Sequence, residues 1–192
     1  VLALVNSVLP LKDVFSPFRF EMEIPKYVYL KYDSTSSYIH VLIPITINNV
    51  SKRDGIIHGI RASTSPADCD RCKDFSQFDI KFITKTFISN YPEERDSNIP
   101  HESILPLPLE RHQSSSVIIQ VSVPKVLDDL TKDQWVSNLF QTHVSFLIND
   151  KDRYEFYKTP IKYEITKSMI ERLDSSDSGE LIKVEVENYI SN

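Results

Sequence analysis

Residues 38–49 read YIHVLIPITINN. Ile39, Val41, Ile43, Ile45 and Ile47 hold five alternate positions of this run, and Tyr38, His40, Leu42, Pro44, Thr46 and Asn48 hold the others. Alternation with period two over this length marks a β-strand with one buried face, because successive side chains of a strand point to opposite sides of the sheet. The residue types agree: β-branched side chains are stiff at χ1 and fit a pleated, half-buried surface. Pro44 has no N–H for the ladder, so its place in a long strand implies an edge position or a bulge.

The same rhythm recurs along the chain. Phe18, Phe20 and Met22 alternate with Arg19, Glu21 and Glu23, and Val117, Ile119, Val121 and Val123 alternate later. Thr142, Val144, Phe146 and Ile148 follow, then Tyr154 and Phe156, then Ile161, Tyr163 and Ile165, and finally Val184 and Val186. Asn48 to Gly55 and Asn149 to Asp152 carry turn residues between apolar strands and are read as two hairpins. Gly59 falls inside a strand, where a bulge or a close contact is expected. Leu105-Pro106-Leu107-Pro108-Leu109 is expected to be extended, its prolines guarding a free sheet edge. Residues 125–140 (KVLDDLTKDQWVSNLF) have helical spacing, with Thr131 and Gln134 set as a capping box, and Lys167 to Leu173 is expected to form a second short helix or turn. Residues 89–103 are expected to form a long exposed loop. Eight to ten short strands with little helix point to a β-sandwich.

Composition narrows the function classes. Of 192 residues only three are Gly and three are Ala, against twenty-one Ile and twenty-three Ser. With so little Gly there is no Gly-rich phosphate loop and no Gly-x-Ser-x-Gly nucleophile elbow. The net charge is −5, and no stripe of Lys and Arg interrupts it, which argues against nucleic acid as a partner. Six acidic side chains against two basic ones in residues 171–192 supply most of the imbalance. The chain starts at Val1, with the apolar run Val1, Leu2, Leu4, Val5, Val8, Leu9 and Leu11. That run falls short of the roughly 20 residues a bilayer requires. Residues 1–15 are read as an apolar segment, either the tail of an upstream tether or a short helix on the domain, and residues 16–192 as one sandwich domain. Membrane contact is expected only through such a tether.

Val41 to Ile60 (VLIPITINNVSKRDGIIHGI) resembles the second and third strands of immunoglobulin-like ectodomains, in which an apolar strand ends at Asn and a Gly-bearing turn leads into the next. Leu105-Pro106-Leu107, the serines 114–116 with VIIQVSV, and HVSFLINDKDRYEFY are similar in rhythm, so the resemblance spans residues 24–165. It implies a mainly β fold, an immunoglobulin-like or fibronectin-III-like antiparallel sandwich with one or two short helices. Some bacterial membrane-anchored proteins carry such domains outside the membrane, so an extracytoplasmic location is implied. The resemblance carries a fold and no activity. The Cys…Trp…Cys framework of immunoglobulins is absent.

Few residues suggest chemistry. Cys69 and Cys72 are the only cysteines. The readings are a local disulfide, half of a zinc site that needs two more ligands from His40, His58, His101, His112, His143 or a carboxylate, two reduced thiols, and a thioredoxin-like redox pair, against which the strand-like alternation of the KDFSQFDIKFIT that follows speaks. The acidic loops at Asp150–Asp152 and Asp174–Gly179 lack the ligand spacing of an EF-hand. No catalytic residue, metal ligand or cofactor is assigned. Tyr27, Tyr29, Tyr32, Tyr154 and Tyr157 cluster on two strands and are the candidate surface for a protein or glycan partner. Asn49-Val50-Ser51 is a glycosylation sequon, expected to be accessible in its turn. The leading expectation is a non-catalytic domain with a structural or interaction role. A carbohydrate- or peptide-binding module comes second, and a small hydrolase built from scattered side chains third.

Overall fold

In the computed structural model, which describes residues 17–32, 38–67, 81–83, 103–124, 139–148, 155–157, 159–175 and 180–187, the run at 38–49 is one twelve-residue strand. The described elements are β1 (Phe20–Glu23), β2 (Tyr27–Tyr32), β3 (Tyr38–Asn49), β4 (Gly55–Pro66), β5 (Lys81–Ile83), β6 (Leu107–Leu109), β7 (Ser114–Pro124), β8 (Leu139–Ile148), β9 (Glu155–Phe156), β10 (Ile161–Glu164), α1 (Lys167–Ser175) and β11 (Leu181–Glu185). They form two antiparallel sheets. The first has the order β11-β2-β3-β7-β5 with β1 also beside β3, and the second has the order β10-β8-β4-β6 with β9 also beside β8. The chain is mainly β, as its alternation implies, and the arrangement is that of two sheets sharing one core.

The core lies between the sheets. Ile39, Val41, Ile43, Ile45 and Ile47 of β3 are at most 1% exposed and meet Ile57, Phe140, Val144, Phe146, Ile161 and Tyr163 of the other sheet in one cluster. Each isoleucine so buried contributes roughly 1.5–3 kcal/mol by its removal from water. The polar face of β3 departs from strict alternation at Leu42, which is fully buried, and Lys31, Ile118 and Gln120 on the neighbouring strands are buried too. This strand is therefore covered on both faces at its middle.

Each sheet contains a strand broken at a proline. β1 and β2 lie along the same side of β3, with Glu23 facing Thr46 and Tyr29 facing Leu42, so six residues advance on one strand against four on the other. The two extra residues fall around Pro25. In the same way Phe156 faces Ser145 and Ile161 faces Thr142, five residues against three, across the break at Pro160. Pro44 is not on an edge strand: β3 is flanked on both sides. Asn49 N donates toward β7, to Gln113 O, and Val50 N toward β1, to Arg19 O. By the alternation of strand N–H groups, the missing N–H of Pro44 faces the β1–β2 side, opposite the break. The ladder lacks a strand partner there, so the missing donor breaks no pairing.

The expected hairpin at Asn48–Gly55 is a different structure, because β3 and β4 belong to different sheets. It is a corner. A second corner, between β6 and β7, runs beside it and turns at Glu110–Gln113, with His112 in the left-handed region at φ 58°. Asn49 joins the two. Its Nδ2 donates to the carbonyls of Arg53 at 2.9 Å, Leu109 at 3.0 Å and Glu110 at 3.0 Å. Its Oδ1 accepts from Ser51 N at 2.9 Å and Ser51 Oγ at 2.6 Å. Two amide hydrogens thus serve three carbonyls, so one bond is shared. Asn49 is 2% exposed, which corrects the expectation of an accessible glycosylation acceptor.

Other expectations meet the structure directly. β8 and β9 pair antiparallel, as the hairpin reading requires, although residues 149–154 lie outside the described set. Gly59 follows a register shift against β8, so the strand bulges at His58. β6 is extended and ends its sheet, with Pro108 facing Ile56. Lys167–Ser175 is a helix, capped by Thr166, whose Oγ1 accepts from Met169 N. Of the expected helix at 125–140, Leu139 and Phe140 belong to β8, their side chains set by its alternation, and residues 125–138 lie outside the described set. The segments 1–16 and 89–102 also lie outside it.

Gly55 starts β4 against a ring. A Cβ at Gly55 would stand 2.2 Å from Phe18 ring carbons. Phe18 stacks on Phe20 at 6.1 Å between centroids, and Phe20 meets Phe146 edge-on at 4.9 Å. Gly55→Ala must displace a ring stacked on Phe20, and we expect a loss of about 1–3 kcal/mol in urea unfolding. In a Phe18→Leu background the same change should cost less, and equal costs would contradict the contact. Asn49→Asp should destabilise more than Asn49→Ala at pH 7, since a carboxylate would face three carbonyls. The gap should narrow under acid, where the protonated carboxyl can donate one bond; urea midpoints at pH 7 and pH 4 measure it.

Candidate functional site

β2 carries Val28 and Leu30 into the core and turns Tyr27 and Tyr29 outward, where both are half-buried. β11 pairs with β2 so that Lys183 faces Tyr29 and Glu185 faces Tyr27. The Lys183 ammonium stands 3.8 Å from the centroid of the Tyr27 ring, and the Lys26 ammonium stands 5.1 Å from it. Attraction between an ammonium and the negative face of a ring contributes about 0.5–1 kcal/mol at exposed sites. Two tyrosines and two lysines thus form one surface on the outer face of the first sheet.

Three further tyrosines belong to the sequence reading. Tyr32 ends β2 opposite Ile39. Tyr157 follows β9 in the second sheet, donates its N–H to Val144 O at 2.8 Å and packs half-buried against the core. Tyr154, Cys69 and Cys72 lie outside the described residues. The structure therefore brings Tyr27 and Tyr29 together and places Tyr157 apart from them.

Beside the tyrosine surface, β11 meets the end of β10. Val186 N donates to Lys26 O on the β2 side, and Glu187 N donates to Lys162 O on the β10 side. By alternation Lys183 and Glu185 direct their N–H and C=O groups to the β10 side. There the antiparallel bridge of Tyr163 with Val186 sets β10 beside the end of β11, with the Glu185 carbonyl turned to Glu164 N, and the chain then departs into α1. Among the described residues no strand pairs with β11 at Lys183 on that side. The gap is a cleft of about 440 Å³ lined by Glu164, Met169 and the five consecutive residues Lys183–Glu187. Of these, Val184 and Val186 have their side chains buried in the core.

Two polar clusters complete the described chemistry. On the outer face, His40 Nδ1 lies 3.0 Å from Ser122 Oγ and 3.1 Å from Gln120 Nε2. An amide nitrogen can only donate, so Nδ1 is the unprotonated nitrogen and its one lone pair stands between two donors. A general base needs that lone pair for the nucleophile alone, so Gln120 weakens the pair as a hydrolytic dyad. Among the described residues, Gln120 Oε1 is buried without a hydrogen-bond partner. Inside the second sheet, Thr64, Thr142 and Tyr163 share a chain of hydroxyls at 2.9 Å each, all three fully buried. Among the described residues no three of His, Cys, Asp and Glu converge as metal ligands. His58 and His112 are exposed, His143 lies in β8, and His101 is outside the described residues.

The hydroxyl chain has a pH signature. Burial pushes the Tyr163 phenol up from 10.0 to about 12, with the hydrogen bonds from Thr142 and Thr64 opposing. Because the folded value lies above the unfolded one, the protonated phenol supports the fold below pH 10 and that support is lost as pH rises toward 12. The loss amounts to about 1.4 kcal/mol per pH unit. Tyr163→Phe should cost about 1 kcal/mol at pH 8 through the lost hydrogen bond. Urea midpoints of the variant should then fall less steeply than those of the parent between pH 10 and 12; parallel slopes would contradict the assignment.

Comparison with protein-family models, with curated proteins and with solved structures finds no match to this chain.

Proposed function

We propose that the chain is a non-catalytic interaction domain of immunoglobulin-like or fibronectin-III-like type, working outside the cytoplasm and held to the membrane by a segment upstream of it. The observation that carries the interaction role is the outward pair Tyr27 and Tyr29 with Lys183 seated over the Tyr27 ring. Tyrosine presents a large, rigid, amphipathic surface at low entropic cost, which is why aromatic residues are enriched where proteins meet partners. The surface sits on strands fixed by a shared core, so it is pre-organised for contact. The extracytoplasmic part rests on the resemblance of residues 24–165 to membrane-anchored ectodomains and on the apolar run at residues 1–11. A carbohydrate partner remains the second reading, favoured by the same two adjacent rings.

The test is site-specific photo-crosslinking in the native host. Tyr29→p-benzoylphenylalanine should give discrete protein adducts, and His58→p-benzoylphenylalanine, on the exposed bulge of β4, should give none. Equal labelling from both positions, or none from position 29, would sink the interaction reading. Adducts that are lost on deglycosylation would favour the carbohydrate reading.

A further inference from the structure

We infer that the two corners joined at Asn49 form a second contact surface, which binds an acidic segment of a partner protein through Arg19, Arg53 and Arg111. The surface lies at the end of the sandwich, with β1 between it and the tyrosines, and stands independently of them. Binding residues concentrate on loops that a rigid scaffold positions. One nitrogen of Asn49 bonds the carbonyls of Arg53 at 2.9 Å and Glu110 at 3.0 Å, so the turns at 50–54 and 110–113 are held together. Asp54 Oδ1 ties them again by accepting from Arg111 N at 2.8 Å. Val50 N donates to Arg19 O at 3.1 Å, which brings the start of the first strand to the same place. Loops fixed in this way lose little freedom when a partner arrives.

Charge gathers there against the trend of the chain. The net charge is −5, yet Arg19, Lys52, Arg53 and Arg111 meet at the corners. None of the nearby carboxylates, Glu21, Asp54 and Glu110, pairs with an arginine side chain. Among the described residues the guanidinium groups of Arg19, Arg53 and Arg111 have no ion-pair or hydrogen-bond partner, whereas Arg172 is held by Glu180. Arg19 and Arg111 are exposed. Arg53 is half-buried with its Nε buried and unpaired, so its stem is fixed while its terminal nitrogens stay open to solvent. A guanidinium presents a planar fork that matches a carboxylate, and Arg is enriched in protein interfaces where Lys is depleted. Val50, 45% exposed, lies beside Arg19 and offers an apolar contact. The fitting segment therefore carries two or more Asp or Glu side chains next to an apolar one. A nucleic-acid backbone fits less well, since its continuous row of phosphates would meet Asp54 and Glu110 as well.

NMR titration of the whole chain tests this, read at the arginine Nε–H and Val50 methyl signals. The probes are a short peptide of Asp-Asp-Leu repeats, its Asn-Asn-Leu counterpart and a DNA duplex. The Asp-Asp-Leu peptide should shift the Arg53, Arg111 and Val50 signals to saturation, and the other two should leave them in place. Arg19→Gln with Arg111→Gln should weaken that binding about tenfold and leave the urea midpoint within error, since both side chains are exposed. Arg172→Gln, at the pair with Glu180, should leave the binding unchanged. No saturable shift with the Asp-Asp-Leu peptide, or an equal shift with the Asn-Asn-Leu peptide, would overturn the inference. Tighter binding of the duplex would overturn it too and mark a phosphate site. So would shifts of the same signals that appear without peptide and grow with protein concentration, which would mark self-association.

Discussion

The side chain of Asn49 holds together the two places where the chain changes sheet. A β-strand can continue only in its own sheet, so each crossing exposes backbone groups that no ladder satisfies, and buried groups of that kind cost free energy unless they are paired. At the β3–β4 corner Asn49 meets the carbonyl of Arg53, which Ser51 Oγ also reaches, and at the β6–β7 corner it meets those of Leu109 and of Glu110, which also accepts from Gln113 N. One amide answers all three. Because β3 is the central strand of one sheet and β4 pairs with β8 in the other, the alignment of the sheets depends on this junction. The Phe18, Phe20 and Phe146 rings then pack across the seam beside Gly55.

Strand content was legible in the sequence because period two is a local property. The isoleucines of β3, the valines of β7 and the bulge at Gly59 follow from residue order alone. Sheet membership was not. The Asn48–Gly55 segment has the composition of a hairpin turn, and nothing nearby reveals that Asn49 bonds to carbonyls some sixty residues away. Pro44 was read correctly as needing an interruption, but the interruption lies in its neighbour, at Pro25, and not at the sheet edge. Leu42 was visible as an apolar residue on a polar face, yet its complete burial depends on tertiary cover.

The candidate site was legible only in half. Alternation places Tyr27 and Tyr29 on one side of a strand. Lys183, which clasps the Tyr27 ring, is distant in sequence and joins it only through the β2–β11 register. The place of β11 at the end of its sheet has no sequence signal, since any strand of that composition could sit at the centre of a sheet. What puts it there is the order of strands and the departure of the chain into α1 after β10. Sites of this kind come from topology, and their chemistry comes from a few charges that topology happens to align.

The burial of Asn49 has a kinetic consequence. Its amide nitrogen is the atom a glycosyl transferase would modify, and in the native corner that atom is spent on three carbonyls. A glycan there and a closed corner exclude each other. The sequon is therefore open only while the chain is unfolded, so in any compartment holding the transferase its occupancy would record a race between sugar transfer and closure of the corner. A chain that wins the race carries no sugar at Asn49, and one that loses it cannot join its two sheets.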